Sequence, residues 1–561
     1  MYNSIRKTFA GLLGIMALSA LSISFSVAGD GDWSWYHGND NATHYSALDQ
    51  INKGNVGNLN VAWLHQPGAI EQGLEATPLV IDGVMYYSSS YNRVFALDAA
   101  TGKEIWHYYP DLDPIIDELF FTPYSRGVAV YNGNVYMGTL DGRVIALDQK
   151  TGKEVWTTQL VDTTKCACNF TSPPVMAGNT LMMGQTAGEY PIQGKIFGLD
   201  PNTGETKFSF NTIKDDPASW GGDSGKYGGG GSWMPGTYDP STNTYFVGTS
   251  NPAPDYDWGA DPAGPSKTGA RPGDNLYTSS VLAMNPDNGD LKWYHQEIPH
   301  DDWDFDSTMG EFWLLDRGSK KLVVHQNKSG FVFVYNREDG AIENIWPMTE
   351  HHNWVKTIDP KTGELIGRNP PKLGNDFVSC PWIAGGRSWN AGAYDPERGL
   401  WYNSVAEACQ ITTVRKEDPV TEPIAQLFFG ADLKAVPDLP NGEKAHGRLD
   451  ARDPVSGDRK WSHKYKYVPI GPVVATKGGL VFQGQVDGTF RAFDSDSGQV
   501  LWSFEAGSGF RGGPISYLAG GKQYIATPSG IGSLVMGLYP AIWPEVADFP
   551  AGATMIAFTI K

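Results

Sequence analysis

One phrase recurs along the chain and limits what it can fold into: an apolar pair, an Asp, a short polar turn containing Gly, and a strand ending in Trp. It reads Val94-Phe95-Ala96-Leu97-Asp98-Ala99-Ala100-Thr101-Gly102-Lys103-Glu104-Ile105-Trp106, and again from Val144 through Asp148 and Gly152 to Trp156. Looser copies end at Phe208, Trp293, Trp346, Trp461 and Trp502, with Gly204, Gly289, Gly340, Gly457 and Gly498 in their turns. Tyr238-Asp239-Pro240 through Gly248 and Tyr394-Asp395-Pro396 through Asn403 look like the same hairpin without the Trp. β-Branched and aromatic residues flanking a Gly-bearing turn make each copy a strand, a tight turn and a strand. Further short strands such as Gly83–Tyr87 and Asn134–Gly138 lie between copies. Repeats of roughly 40 to 50 residues with four strands each mark propeller blades, so the Trp is expected to pack between neighbours.

The copies, the Trp-less hairpins and an N-terminal segment fit an all-β, eight-bladed β-propeller better than a six-bladed one. The long spacings from Phe208 to Trp293 and from Trp346 to Trp461 call for extra blades or insertions. Length alone would suggest three or four domains at about 150 residues each, but one closed ring absorbs the repeat. With 67 Gly, 12% aromatic residues and only 19% charged ones, against roughly 25% in an average domain, disorder and coiled coil are excluded.

Arg6 and Lys7 precede an apolar run from Phe9 to about Val27 that ends in Ser26-Val27-Ala28, before Gly29-Asp30-Gly31-Asp32. This reads as a signal peptide over residues 1–28, leaving 29–561 as a single exported, periplasmic propeller domain. The alternative, a membrane anchor, is disfavoured by the serines and the small-x-small end; no later window is long and uncharged enough to span. Removal would take the formal charge from −19 to −21. No basic stripe exists for nucleic acid, and most of the acid excess serves solubility. Export makes the four cysteines disulfide candidates: Cys380 and Cys409 bracket one segment, whereas Cys166 and Cys168 stand as either a bridge or free thiols. Without a Cys-x-x-Cys-His, the chain carries no c-type haem.

The densest unusual stretch opens with Gly228-Gly229-Gly230-Gly231-Ser232-Trp233, continues through Thr249-Ser250-Asn251-Pro252-Ala253-Pro254 and Arg271-Pro272-Gly273-Asp274-Asn275, and ends in Pro299-His300-Asp301-Asp302-Trp303-Asp304-Phe305-Asp306. Four aspartates within six residues repel one another unless a cation sits among them. On an extended strand Asp304 and Asp306 would point the same way. A solvated acidic loop is the bland reading, but Trp303 and Phe305 interleave with the acids and argue for a partly buried setting suited to a hard metal.

These motifs resemble the pyrroloquinoline quinone (PQQ) dependent alcohol dehydrogenases of the methanol and ethanol dehydrogenase type, over nearly the whole mature chain from Glu75-Ala76-Thr77-Pro78 to Gly520-Gly521-Lys522-Gln523-Tyr524. The resemblance implies a quinone and a metal on the propeller axis. Trp233 matches the indole beneath the quinone; Glu189, Asn251 and Asp304 match metal ligands, and Asp304 also the catalytic base. Lys328 matches the basic residue at the quinone carbonyl, and Glu75, Arg126, Thr171 and Thr186 match cofactor contacts. Asp306 stands where lanthanide-using members carry Asp and calcium-using ones a small uncharged residue. A further anionic oxygen favours a trivalent ion, so a light lanthanide is expected, with Ca²⁺ second. The family's adjacent cysteines over the quinone are absent: the matching stretch is Phe120-Phe121-Thr122-Pro123-Tyr124-Ser125-Arg126-Gly127, where Phe120 or Phe121 is expected to cover the cofactor instead. Cys380 and Cys409 are placed like a disulfide of ethanol dehydrogenase-like members.

The implied activity is oxidation of a small alcohol to an aldehyde. The metal polarises the quinone C5 carbonyl, Asp304 takes the alcohol proton, hydride passes to the quinone, and Lys328 stabilises charge on its oxygen. Electrons would leave to a separate periplasmic cytochrome c, and a homodimer stays open. The rivals are a quinoprotein acting on sugars or polymeric alcohols, and a non-catalytic scaffold such as an outer-membrane assembly lipoprotein. The scaffold would lack the acidic cluster, and no lipobox Cys follows the leader.

Overall fold

The computed structural model describes residues 31–68, 71–120, 123–186, 188–309 and 311–561. The proposed signal peptide and Phe121 lie outside the described residues. The architecture is an all-β propeller. Among the described residues, four antiparallel strands each make up the sheets within 79–108, 129–159, 175–211, 237–296, 313–347 and 393–465, and 473–505 forms a sheet extended by the short parallel strand Tyr45–Ser46. A further four-stranded sheet combines Ile515–Ala519, Lys522–Ser529 and Thr554–Ile560 with Leu59–His65 from the opposite end of the chain. Leu59 registers with Ile560 and His65 with Met555, so the two ends of the chain are hydrogen-bonded into one sheet. The innermost strand opens the run of strands in each sheet, with Ile515–Ala519 in that position in the closing sheet, and is largely buried, as in Leu79–Ile81 and Val473–Thr476.

The repeat phrase forms the outer pair of strands. Asp98 Oδ1 accepts from the Thr101 amide and hydroxyl at 2.9 and 2.7 Å, and Asp148 does the same with Thr151 at 2.8 and 2.7 Å. The carboxylate thereby satisfies turn donors and holds the Gly in its left-handed conformation. The terminal Trp then lies on the turn Gly of the next sheet. A Cβ on Gly152 (φ +67°) would sit 2.6 Å from Trp106, and one on Gly340 (φ +74°) 2.7 Å from Trp293. Gly102 meets Trp63, Gly204 Trp156, Gly457 Trp346 and Gly498 Trp461 in the same way, with Phe208 taking the role against Gly289. Each indole N–H also finds a carbonyl next door: Trp106 Nε1 donates to Gln149 O at 3.1 Å, Trp156 to Pro201 O at 3.0 Å, and Trp461 to Ser495 O at 2.9 Å. Trp502 instead packs edge-on against Phe558 at the closing sheet.

One sequence expectation needs correction, and the choice between extra blades and insertions is decided for the second. The Trp-less hairpins are not separate repeats: Thr237–Asp239 with Thr244–Gly248, and Ala393–Asp395 with Leu400–Glu407, are the inner strand pairs of the sheets that end in Trp293 and Trp461. The long spacings are insertions. One holds the three-stranded sheet of Asp376–Ser379, Cys409–Val414 and Ala431–Val436, which the Cys380–Cys409 disulfide anchors.

Gly133 also has positive φ (+83°) but opens onto empty space, so it controls for backbone strain. Gly152→Ala is expected to cost about 1–3 kcal/mol more stability than Gly133→Ala, the overpacking penalty against Trp106, read as the difference in urea unfolding free energy. Equal costs would mean that the indole does not depend on the missing Cβ.

Candidate functional site

A cavity of about 300 Å³ opens at one end of the ring. Six of its lining residues stand three or four positions ahead of an innermost strand: Arg126 before Ala129, Thr171 before Val175, Trp233 before Thr237, Met309 before Trp313, Trp389 before Ala393 and Arg511 before Ile515. Glu189 and Lys328 arrive from loops that follow the second strand of their sheets. Successive loops of the ring therefore deliver their side chains to one place.

The anionic side is built around the aspartate run, and the four carboxylates divide. Asp301 and Asp302 turn into the protein. Asp301 accepts from the Trp303 and Phe305 amides at 2.9 and 2.7 Å, and Asp302 lies 3.1 Å from Arg368 and 3.8 Å from Arg271. Trp303, packed on Trp354 and covered by the Arg368 guanidinium at 4.9 Å, fixes the loop between them. Asp304 and Asp306 face the cavity, where Lys328 Nζ lies 2.9 Å from Asp304 Oδ1 and 3.3 Å from Asp306 Oδ2. The segment is not a strand, contrary to the expectation of an extended pair; Asp304 has φ +63°, an uncommon conformation for a non-glycine residue that the surrounding contacts must enforce.

Burial pushes the Asp304 carboxyl well above the ordinary range, with Asp306 and Glu189 adding to the rise and Lys328 opposing it. Burial, then the Asp306 charge, raises Glu189 to about 7. Burial disfavours the Lys328 ammonium, but Asp304, Asp306 and Glu189 outweigh it and hold the lysine charged above its usual range. One carboxylate that sequence reasoning missed joins the group: single oxygens of Glu189, Asp255 and Asp304 all lie within 4.8 Å of one another. Asn251 does not line the cavity, but its amide N–H donates to Asp306 Oδ1 at 2.8 Å and its side-chain oxygen is buried without a partner.

The opposite side is cationic and aromatic. Arg126 is held by Thr171 Oγ1 at 2.6 Å and by Glu75 at 3.2 Å, and Arg511 lies 3.5 Å from the same Glu75. Glu75 is thus behind the wall, orienting two guanidinium groups. Arg126 sits 5.0 Å from the rings of both Trp233 and Trp389, while Trp233 Nε1 donates to Asp306 Oδ2 at 3.3 Å and so ties the two sides together. Thr186 lines the cavity, but its hydroxyl is engaged with Asn169. Trp389 and Arg511 were also missed. Trp389 follows Gly385-Gly386 much as Trp233 follows its glycine run, and both residues share the offset from an innermost strand, a signal that becomes usable once strands are placed.

The remaining wall is apolar, with Phe120, Ile383, Leu427, Phe429 and Leu538. Cys166 and Cys168 are bonded, and Cys168 packs with Tyr190 and Ala425 near Leu427. The cavity as a whole offers a flat indole, guanidinium groups for ligand carboxylates, and converging oxygens for a hard cation.

Residues 33–362 and 438–525 match the family described as PQQ: glucose/ethanol/alcohol dehydrogenase, beta-propeller domain. The chain is 35% identical to the quinoprotein alcohol dehydrogenase PedH of Pseudomonas putida, covering 92% of this chain and 89% of that protein. It is 31% identical to methanol dehydrogenase [cytochrome c] subunit 1 of Methylorubrum extorquens, covering 92% and 85%. A europium-containing methanol dehydrogenase superposes with a TM-score of 0.86 at 29% identity, covering 94% of this chain and 98% of that one. The chain belongs to the PQQ-dependent quinoprotein alcohol dehydrogenases and is an oxidoreductase of that family.

Proposed function

We propose that the protein is a periplasmic enzyme of eight blades, residues 29–561 after removal of a leader, that oxidises a small alcohol to an aldehyde with PQQ and one lanthanide ion, Ca²⁺ being the alternative, and passes electrons to a separate cytochrome c. The sheets enumerated above, one of them closed by Leu59–His65, support the blade number. The observation that carries the chemistry is the approach of the Glu189, Asp255 and Asp304 oxygens to within 4.8 Å of one another, in a cavity whose other side presents Arg126 and Arg511.

Both groups fit the residues present. Three anionic oxygens so close together, with the Asn251 side-chain oxygen buried and unpartnered, suit a hard cation. The two arginines and Lys328 suit the carboxylates of a planar acid lying on Trp233. Glu189, Asn251, Asp304 and Asp306 would hold the ion. When bound, the quinone supplies a hydride acceptor and the ion supplies Lewis-acid polarisation.

The protein's own part is positioning and proton transfer. Lys328 donates to Asp304 Oδ1, which leaves Oδ2 to take the alcohol proton, and the ammonium favours the ionised form a base requires. The Phe120, Leu427, Phe429 and Leu538 side chains receive the carbon chain of the substrate and keep water from the buried carboxylates. Such a wall gives the hydroxyls of a sugar no partners, which favours simple alcohols over polyols. The methanol dehydrogenase relative is named with cytochrome c, and the same acceptor is assigned to this chain.

Purified protein supplied with PQQ and La³⁺ should show the absorbance of bound quinone and reduce a dye or cytochrome c when given ethanol; retention of quinone without reduction by any alcohol would refute the assignment. Asp304→Asn should keep the quinone absorbance while kcat falls by about 10²–10⁴, the range for loss of a general base. Full activity with Ca²⁺ and no gain from La³⁺ or Ce³⁺ would overturn the metal preference.

The pH dependence of metal uptake follows from the buried carboxylates: burial raises both Asp304 and Glu189, the latter to about 7. Below about pH 7 the ion must displace the proton held on Glu189, so in chelator-stripped protein the apparent affinity should drop by up to about tenfold per unit as pH falls. Above that pH Glu189 contributes no further change. Competition titrations between pH 5.5 and 8 measure this, and a flat profile would remove Glu189 from the donors.

A further inference from the structure

We infer that Asp255 is an additional anionic donor of the cation site and strengthens its preference for a trivalent ion; the inference rests on the metal-dependent reading above. Asp255 lies four residues beyond Asn251, in Asn251-Pro252-Ala253-Pro254-Asp255, on a segment whose backbone is held from both sides. Arg271 Nε donates to Pro254 O at 2.8 Å and its Nη2 to Asp255 O at 3.2 Å, while the Tyr256 amide donates to Phe429 O at 3.0 Å. The side chain has no exposed surface. Its Oδ1 accepts from Asn251 Nδ2 at 2.8 Å, and its Oδ2 has no hydrogen-bond partner.

Among the described residues no Lys, Arg or His nitrogen pairs with this carboxylate, although Asp304 and Asp306 beside it share Lys328. Burial disfavours the ionised form of a carboxylate that has no counter-charge, and a cation bound beside it would supply that charge. The geometry supplies the place. Donors about 2.3–2.6 Å from one ion can be at most about 5 Å apart, and single oxygens of Asp255, Glu189 and Asp304 meet that limit at 4.8 Å. The same hydrogen bond turns the Asn251 amide so that its NH₂ faces Asp255 and its unpartnered oxygen is left for the ion.

Charge count gives the preference. Glu189, Asp304 and Asp306 against Lys328 leave two negative charges from the protein when all are ionised. Asp255 makes three, and each added negative charge attracts a trivalent ion more strongly than a divalent one. An Asn at this position keeps the shape and an oxygen to accept from Asn251, but removes the charge.

The test is equilibrium binding of La³⁺ and of Ca²⁺ to PQQ-loaded, chelator-stripped protein, by chelator competition with metal quantified in the protein fraction. Asp255→Asn should weaken La³⁺ at least tenfold and Ca²⁺ by clearly less, so that the La³⁺/Ca²⁺ ratio of affinities falls. Asp255→Glu, which keeps the charge, should retain more of that ratio. Thermal melting adds a readout that a purely structural hydrogen bond would not move: without metal the Asn variant should melt above the parent protein, and with saturating La³⁺ below it. Unchanged La³⁺ affinity in Asp255→Asn, or melting shifted the same way with and without metal, overturns the inference. Should Asp255→Asn fail to fold, equal La³⁺ and Ca²⁺ affinities in the parent protein would overturn it as well. Parent protein that binds neither ion would instead refute the metal-dependent reading itself.

Discussion

An indole laid on a glycine joins one sheet of this protein to the next, and the remainder of the molecule depends on that joint. The contact needs a residue with no Cβ and a positive φ on one side, and a large flat ring with one polar edge on the other. Trp106 on Gly152 has both, and its Nε1 donates to Gln149 O, so the apolar face is buried while its single donor stays satisfied. Phe208 on Gly289 keeps the packing and gives up the hydrogen bond. Repetition of the joint leads around to a sheet in which Leu59–His65 pairs with Thr554–Ile560. That pairing ties the two ends of the chain into one sheet and makes the relative placement of the loops at each end a property of the whole chain.

That rigidity is what allows like charges to be crowded near the axis. Asp304 in a left-handed conformation, with Asp306 and Glu189 close by, would relax apart in a flexible loop. Here Trp303 is wedged against Trp354 and Arg368, and Asp301 and Asp302 are tied to backbone amides and to arginines, so the strand-to-strand connection cannot swing outward. The same six-residue acidic run therefore does two jobs: two of its carboxylates anchor the loop, and two are presented to the cavity.

The fold was legible because its signal is repeated: Asp, Thr and Gly at fixed offsets in the turn and Trp at the strand end each have a local physical role. The Trp-less hairpins misled because an inner strand pair uses the same Asp-Pro turn chemistry as an outer one. At the site, Asp304, Asp306, Lys328, Trp233, Arg126, Thr171, Thr186 and Glu189 reach the cavity as their motifs implied. Asp255, Trp389 and Arg511 escaped notice because an isolated Asp, Trp or Arg in a loop has no periodicity to mark it. Their meaning comes only from contacts across the ring: Arg511 with Glu75 spans 436 residues of sequence. The four-aspartate run illustrates the same limit, since charge density was visible but the division between inward and cavity-facing carboxylates depends on Arg271 and Arg368.

The origins of the cavity wall separate two kinds of change. Arg126, Trp233 and Arg511 sit just ahead of innermost strands, and Asp304 in the connection between Gln296 and Trp313 that Trp303 and Arg368 pin, where a shift would disturb the ring itself. The apolar cover comes from elsewhere: Leu427 and Phe429 from the insertion between Val414 and Ala431, Leu538 from the helix Leu534–Ile542, and Phe120 from the stretch after Pro114–Glu118. These segments carry little of the indole–glycine seam, so their side chains can be resized at small cost to the ring. The Cys166–Cys168 bridge packs in the same cluster as Leu427, and the Cys380–Cys409 bridge staples the inserted three-stranded sheet, where no repeated seam supplies stiffness. Substrate shape is thus set by parts of the chain that the propeller tolerates being altered, and proton transfer by parts that it holds fixed.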